Sequence, residues 1–269
     1  MTEKCTAPRP DFGRRIVWAA LTMLALVAAP AAAQQSSPLT DQQAAAVKAL
    51  VLQTLRENPE IIGEALQALQ ARAQADAEAQ AQQAVKAQEA DLFSDPDAPV
   101  IGNSDGDVTV VEFFDYNCPY CKKTAPELKM LIAKDPMIRV VMREWPILGP
   151  DSVYAARASL AARAQGKYAE FHDALMGMPR ANPATVRRVA TELGLDLDRL
   201  TADMQDPTVT AHIDKSNALT SSLGINGTPG FVIGETIIRG YSSYDDLAAV
   251  VVETRARTKA AATAGASDE

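Results

Sequence analysis

From Thr40 to Ala73 apolar residues recur every three or four positions, the spacing that puts them on one face of an α-helix. Ala44, Val47, Leu50, Val51 and Leu55 make up a first stretch, which Thr40 or Asp41 can cap. Asn58-Pro59 ends that helix and opens a second, with Asn as the cap and Pro at the first helical position. Ile62, Leu66, Leu69 and Ala73 continue the stripe. Residues 71–90 then hold almost only Ala, Gln, Glu, Asp, Arg and Lys, which favours a long helix but offers little to bury. This end is expected to project as a semi-rigid spacer. The stripe itself needs a cover, either the remainder of the chain or a second copy of it.

Asp95-Pro96-Asp97-Ala98-Pro99 breaks the helical pattern and marks a domain boundary. Beyond it the periodicity shortens. A short strand falls near Val100, a buried strand over Val108 to Asp115, a helix over Pro119 to Ala133 and a strand over Ile138 to Glu144. Pro146 to Pro150 turns the chain into a helical stretch over about 151–223, punctuated by Gly166, Pro179, Pro183, Gly194 and Pro207. Strands at Phe231 to Ile233 and Thr236 to Arg239 and a helix from Tyr244 to Thr254 follow. A β-α-β half and a β-β-α half separated by helices predict an α/β fold: one sheet with a helical insertion, over 95–257. Residues 34–94 form an amino-terminal helical extension, and 258–269, small and polar, are expected to be a disordered tail.

Arg14 and Arg15 precede an apolar run from Ile16 to Ala29, and Ala31-Ala32-Ala33 matches what a signal peptidase accepts. The run is shorter than the roughly 20 residues that span a bilayer, so a signal peptide over 1–33, cleaved after Ala33, is preferred to an uncleaved anchor. Export to the periplasm follows. Without those residues the chain holds 22 basic against 32 acidic residues. Nucleic acid is therefore excluded as a partner, since it requires a concentrated basic face.

Cys5 would leave with the leader, so only Cys118 and Cys121 remain. A lone close-spaced pair in an oxidising compartment reads as catalytic rather than as a structural framework. Pro119 suits the first helical position and would seat Cys118 at the helix N-terminus, where unpaired N–H groups and the macrodipole stabilise a thiolate. A structural zinc site would need a second ligand pair, but His172 and His212 stand apart, and haem attachment would need His where Lys122 stands. No metal and no cofactor are expected. Glu112, six residues before Cys118, is an acid inside an apolar strand: buried, it becomes a proton acceptor for Cys121, and at the solvent edge of the strand it does nothing. His172, with Tyr168 and Phe171, reads as packing.

Cys118-Pro119-Tyr120-Cys121 after a hydrophobic strand, Ala125-Pro126, Arg143-Glu144-Trp145-Pro146-Ile147-Leu148-Gly149 and Gly227-Thr228-Pro229 resemble the thioredoxin-like superfamily. Within it, they are similar to the periplasmic DsbA-like thiol–disulfide proteins of the ScsC (suppressor of copper sensitivity) group, over Val100 to about Thr254. The helices around Asn58-Pro59-Glu60 look like that group's extension. The resemblance implies a thioredoxin-like fold with an inserted helical domain, and a cis Thr228-Pro229 peptide facing the cysteines. Its Thr228 backbone would be offered to an extended substrate strand. Pro119, Tyr120, Thr228 and Pro229 are thus the substrate-binding candidates, and Cys118, Cys121 and Glu112 the catalytic ones.

The Cys118 thiolate would attack a substrate disulfide and Cys121 would resolve the mixed disulfide. Pro-Tyr between the cysteines lacks the histidine of strongly oxidising relatives, and Thr before the proline resembles the isomerase side. The expected activity is a disulfide isomerase or reductase acting on misfolded exported proteins. Its expected partners are disulfide-containing periplasmic proteins, a membrane thiol reductase and further copies of itself, a trimer by resemblance. A monomeric dithiol oxidase and a Cu(I)-binding holdase are the rival readings.

Overall fold

The computed structural model describes residues 39–265. The expected leader and the residues up to 38 lie outside the described residues, as do 266–269. Two compact units are distinguished, one up to Ile62 and one from Gly63 onward.

The first unit holds helix α1 (Asp41–Glu57) and the start of α2 (Glu60–Ala87). Thr40 caps α1 reciprocally: its hydroxyl accepts from Gln43 N–H at 3.3 Å, and the Gln43 side chain accepts from Thr40 N–H at 3.0 Å. Asn58 does not cap the second helix as expected. Its side-chain amide donates to the Thr54 carbonyl at 2.9 Å, closing the end of α1, where the last carbonyls lack helical partners. Val47, Leu50 and Val51 lie exposed on α1, and Leu66 and Leu69 lie exposed on α2.

In the second unit a five-stranded sheet runs in the order β1-β3-β2-β4-β5. The strands are β1 (Val100–Gly102), β2 (Val108–Phe114), β3 (Ile138–Glu144), β4 (Gly230–Ile233) and β5 (Thr236–Arg239). Only β2 and β3 pair in parallel, joined through helix α4 (Pro119–Lys134). The segment between β3 and β4 forms five helices: α5 (Pro150–Arg163), α6 (Tyr168–Met176), α7 (Pro183–Glu192), α8 (Leu197–Asp203) and α9 (Pro207–Ser222). Polar caps start three of them, from the side chains of Asn182, Asp196 and Asp206.

Side chains alternate across β2, so each strand serves two cores. Val108, Val110 and Phe114 face α4, the insertion and the two cysteines. Val111 and Phe113 face the other way, toward Leu219, Leu223, Ile225 and Val232. That second core changes the picture of the Ala/Gln-rich segment. Ala81 and Val85, one helical turn apart near the end of α2, are buried in it together with Leu92 of α3 (Glu89–Phe93). The segment therefore does not project along its whole length: its small side chains let the helix approach the sheet, and Lys86–Glu235 and Arg239–Glu78 pairs flank the contact at 3.0 and 3.3 Å.

Two further features differ from expectation or were unforeseen. Helix α10 (Tyr244–Gly265) continues well past Thr254, so 258–265 is helix and not a disordered tail. Lys259, Ala260, Ala261 and Ala262 are strong helix formers, and their small polar neighbours do not interrupt the helix. The turn at Asp95 is held by a buried ion pair, with Arg143 Nη1 2.9 Å from Asp95 Oδ2 and both side chains almost fully enclosed. Burial opposes ionisation of Asp95, but hydrogen bonds from Asp97 N–H, Lys215 and Arg143 hold its carboxyl down at about 2.

Candidate active site

The cysteines sit where the sequence motif puts them, at the junction of β2 and α4. Cys118 is the N-cap of α4 in an extended conformation, with Pro119 at the first helical position. Its sulfur accepts from the Cys121 N–H at 3.5 Å and lies 3.2 Å from the Thr228 carbonyl. The pull of Cys121 on this sulfur, together with Thr228 and the N–H groups of Cys121 and Tyr120, lowers the Cys118 pKa from 9.0 to about 5, against burial. Cys121, one turn deeper and fully enclosed, is shifted strongly upward, first by burial, then by the adjacent Cys118 sulfur and the Glu112 charge. The pair is unbridged and asymmetric: one sulfur is primed as a thiolate, the other held as a thiol.

Glu112 settles between its two sequence readings on the buried one. It points from β2 toward the core that holds both cysteines, on the same side as Val110 and Phe114, and opposite Met142 and Phe231 in the register. Only 2% of it is exposed and its Oε1 has no hydrogen-bond partner. Burial, with a smaller contribution from the Cys118 charge, raises its pKa from 4.5 to about 8. A carboxyl that ionises near neutrality can take up the proton of a buried thiol in its ionised form and return it from its neutral form.

The Thr228-Pro229 peptide is cis. Pro229 is buried, and the Thr228 carbonyl faces Cys118, which places the pair directly beside the reacting sulfur. Pro119 is exposed and Tyr120 is 61% exposed, so both border the entrance. His172 packs as expected, edge-on to Phe114 and stacked on Tyr168, but it also contacts the Tyr116 hydroxyl through Nδ1 at 3.1 Å. Burial depresses its pKa to about 4.

Three polar groups near the motif escaped the sequence reading. Asp115 is buried immediately after β2. Glu144, at the end of β3, lies 2.8 Å from His212 Nε2 and accepts from the Tyr168 hydroxyl. Lys122 reaches the Leu175 carbonyl at 3.3 Å, and burial lowers its pKa. An acid at the end of an apolar strand was the available signal, but its partners lie tens of residues away in the chain. Among the described residues no group of His, Cys, Asp and Glu forms a metal-binding cluster, and no helix is long and apolar enough to cross a membrane.

A thiol of depressed pKa capping a helix, a second, buried thiol one turn in, a buried acid behind them and a cis-proline beside them define a thioredoxin-fold thiol–disulfide oxidoreductase. The chain belongs to the DSBA-like thioredoxin domain family, whose model matches residues 109–252. Residues 43–76 match the copper resistance protein ScsC N-terminal domain. Among solved structures, a thioredoxin-like oxidoreductase from Silicibacter pomeroyi DSS-3 is 54% identical, with a TM-score of 0.61, over 62% of this chain and 96% of that one. Proteus mirabilis ScsC in a transitional conformation is 32% identical, with a TM-score of 0.59, over 82% of this chain and 98% of that one. The disulfide bond formation protein D of Bacillus subtilis is 28% identical over 55% of this chain and 73% of its own length. The chain spans about a quarter (26%) of the length of the Salinispora tropica Na(+)/H(+) antiporter NhaA 3, to which it is 32% identical over 169 residues.

Proposed function

We propose that this thiol–disulfide oxidoreductase is an exported disulfide isomerase or reductase, with Cys118 as nucleophile and Cys121 as resolving thiol. The observation that carries the reading is the asymmetry of the two sulfurs. A nucleophile near pKa 5 lies between the weakly acidic thiol of thioredoxin, about 7, and the strongly acidic one of DsbA, about 3.5. Such a thiol both attacks and leaves readily, as shuffling requires. In each resolution step Cys121 gives its proton to Glu112 in its ionised form, the minor one at neutral pH, and the Cys121 thiolate attacks the Cys118 sulfur, forming the Cys118–Cys121 disulfide and releasing the substrate thiolate. Thr228, Pro229, Pro119 and Tyr120 border the bound substrate strand. A periplasmic thioredoxin-like protein of Salmonella enterica serovar Typhimurium is among the similar structures, which supports the periplasm as the compartment.

The N-terminal helices complete the proposal. Leu50 and Leu69 are each 64% exposed among the described residues, and the ScsC N-terminal match supports covering them and their apolar neighbours with further copies. Several sites facing one misfolded substrate would suit isomerisation, with a membrane thiol reductase keeping the pair reduced. The test is recovery of ribonuclease activity from its scrambled form, using pre-reduced protein with and without residues 34–76. That truncation retains Ala81 and Val85 and so leaves the second core intact. The truncated protein is expected to be monomeric in light scattering and to keep insulin reduction but lose unscrambling. A monomeric longer form, or unscrambling by the truncated one, refutes the link.

A further inference from the structure

Asp115 stands three residues before the nucleophile, and its carbonyl accepts from Cys118 N–H at 3.1 Å. Its side chain gathers three donors. Oδ1 accepts from Asn117 N–H at 2.7 Å and from the Ser152 hydroxyl at 2.7 Å, and Oδ2 accepts from Leu148 N–H at 2.9 Å. One fully enclosed carboxylate therefore fastens the cysteine loop to the start of α5 and to the turn after β3. Asn117 extends the junction, donating to Ser152 Oγ and to the Ala181 carbonyl while accepting from Ala181 N–H.

The turn so held has an unusual surface for its position. Ile147 and Leu148 are large apolar residues left 42% and 51% exposed. Gly149 follows with φ +106°, a conformation that other residues adopt poorly, and nothing occupies the space its missing side chain would take. Leu148 shares with Asn117, Asp151, Pro179 and Arg180 an open cleft of about 280 Å³ beside the cysteine loop. Such a turn would wander unless something fixed it, and the Leu148 N–H is the atom that is fixed.

The geometry points to Asp115 as a positioning residue that holds Leu148 at the rim of the site as an apolar contact for polypeptide substrates, next to the substrate cysteine. Cys118 attacks the same disulfide with or without this contact, so the residue acts on recognition of the polypeptide and not on the sulfur chemistry. The inference rests on Cys118 being the attacking thiol.

The amide isostere separates the two roles. In Asp115→Asn the side-chain oxygen can still serve Asn117 and Ser152, but the NH₂ would then face the Leu148 N–H, donor against donor. Leu148→Ala removes the contact without touching the junction. Both variants are measured with a disulfide-bonded polypeptide (insulin) and with a small disulfide (oxidised glutathione), alongside the Cys118 titration followed by thiolate absorbance. For each variant KM for insulin is expected to rise roughly tenfold, the loss of about one well-formed interaction, with the glutathione rate and the Cys118 titration unchanged. The double variant should be no worse than either single one, because both remove the same contact. Parallel loss on both substrates, or unchanged KM in Leu148→Ala, overturns the proposal, and the Leu148 result decides it should Asp115→Asn not fold. Failure of the wild-type protein to react with glutathione would instead refute the thiol chemistry itself.

Discussion

Replacing Glu112 with Gln should stabilise the reduced protein, and by an amount that depends on pH in a defined way. The folded acid titrates at about 8 and the unfolded one at 4.5. Between these values the native state holds a proton that the unfolded state has released, so stability falls as pH rises, at about 1.4 kcal/mol per pH unit. Below pH 4.5 the acid is neutral in both states and Gln mimics it. The advantage of Glu112→Gln should therefore be near zero at pH 4.5, grow to about 3 kcal/mol at pH 7, and level off above pH 8. Because Cys118 contributes part of the shift, closing the disulfide removes that charge and brings the plateau to lower pH. The measurement is urea unfolding of both proteins at a series of pH values, with a phosphine reductant present throughout. Comparing the two at each pH cancels the opposite trend of Cys118, whose depressed pKa adds stability as pH rises above about 5. A difference that is flat from pH 4.5 to 8, or one that favours the wild type as pH rises, refutes a buried neutral Glu112. The same substitution should slow resolution of mixed disulfides increasingly as pH rises toward 8, where the wild-type acid ionises, since the amide cannot accept the Cys121 proton.

Iodoacetamide at pH 6 should label Cys118 and spare Cys121, and Cys121→Ala should trap mixed disulfides that Cys118→Ala does not; faster labelling of Cys121 would reverse the roles. Asp95→Asn leaves Arg143 buried without its countercharge and should cost about 3–5 kcal/mol in urea unfolding, whereas a loss below about 1 kcal/mol would make the pair no better than a surface one. Val85→Asp should release the end of α2, raising hydrogen exchange of its last turns, while the glutathione equilibrium of the dithiol stays as in the wild type. A shifted equilibrium would mean that the second core reaches the cysteines.

Much of this fold is legible in the chain because its strands are short, β-branched and bounded by turn residues. Ile138–Glu144 and Thr236–Arg239 are found where the pattern puts them. Cys118 and Pro119 were readable as a helix start because the motif is local. Ala81 was not readable as core, since alanine has the same small side chain whether it packs or faces water, and only the sheet opposite decides. The far end of α10 was misread for a related reason: small and polar residues suit either a tail or a helix. Asp115, Glu144 and Lys122 were missed because the groups that enclose them, Ser152 and Leu148, His212 and Tyr168, and Leu175, are distant in sequence. A buried polar residue is recognised by what satisfies it, and that is a property of the folded chain.

The alternation along β2 makes the placement of Glu112 a matter of register. A slip of one residue would carry Phe113 into the core behind the cysteines and turn the carboxyl toward Val85 and Leu92, so the proposed proton acceptor and the seat of the end of α2 would fail together. Seven consecutive pairs with β3 and four with β4 oppose that slip from both sides. The acid–base role proposed for Glu112 is thus guarded by the hydrogen bonding of an entire strand, and a partly folded chain with β2 unpaired would carry both cysteines without the buried acid behind them.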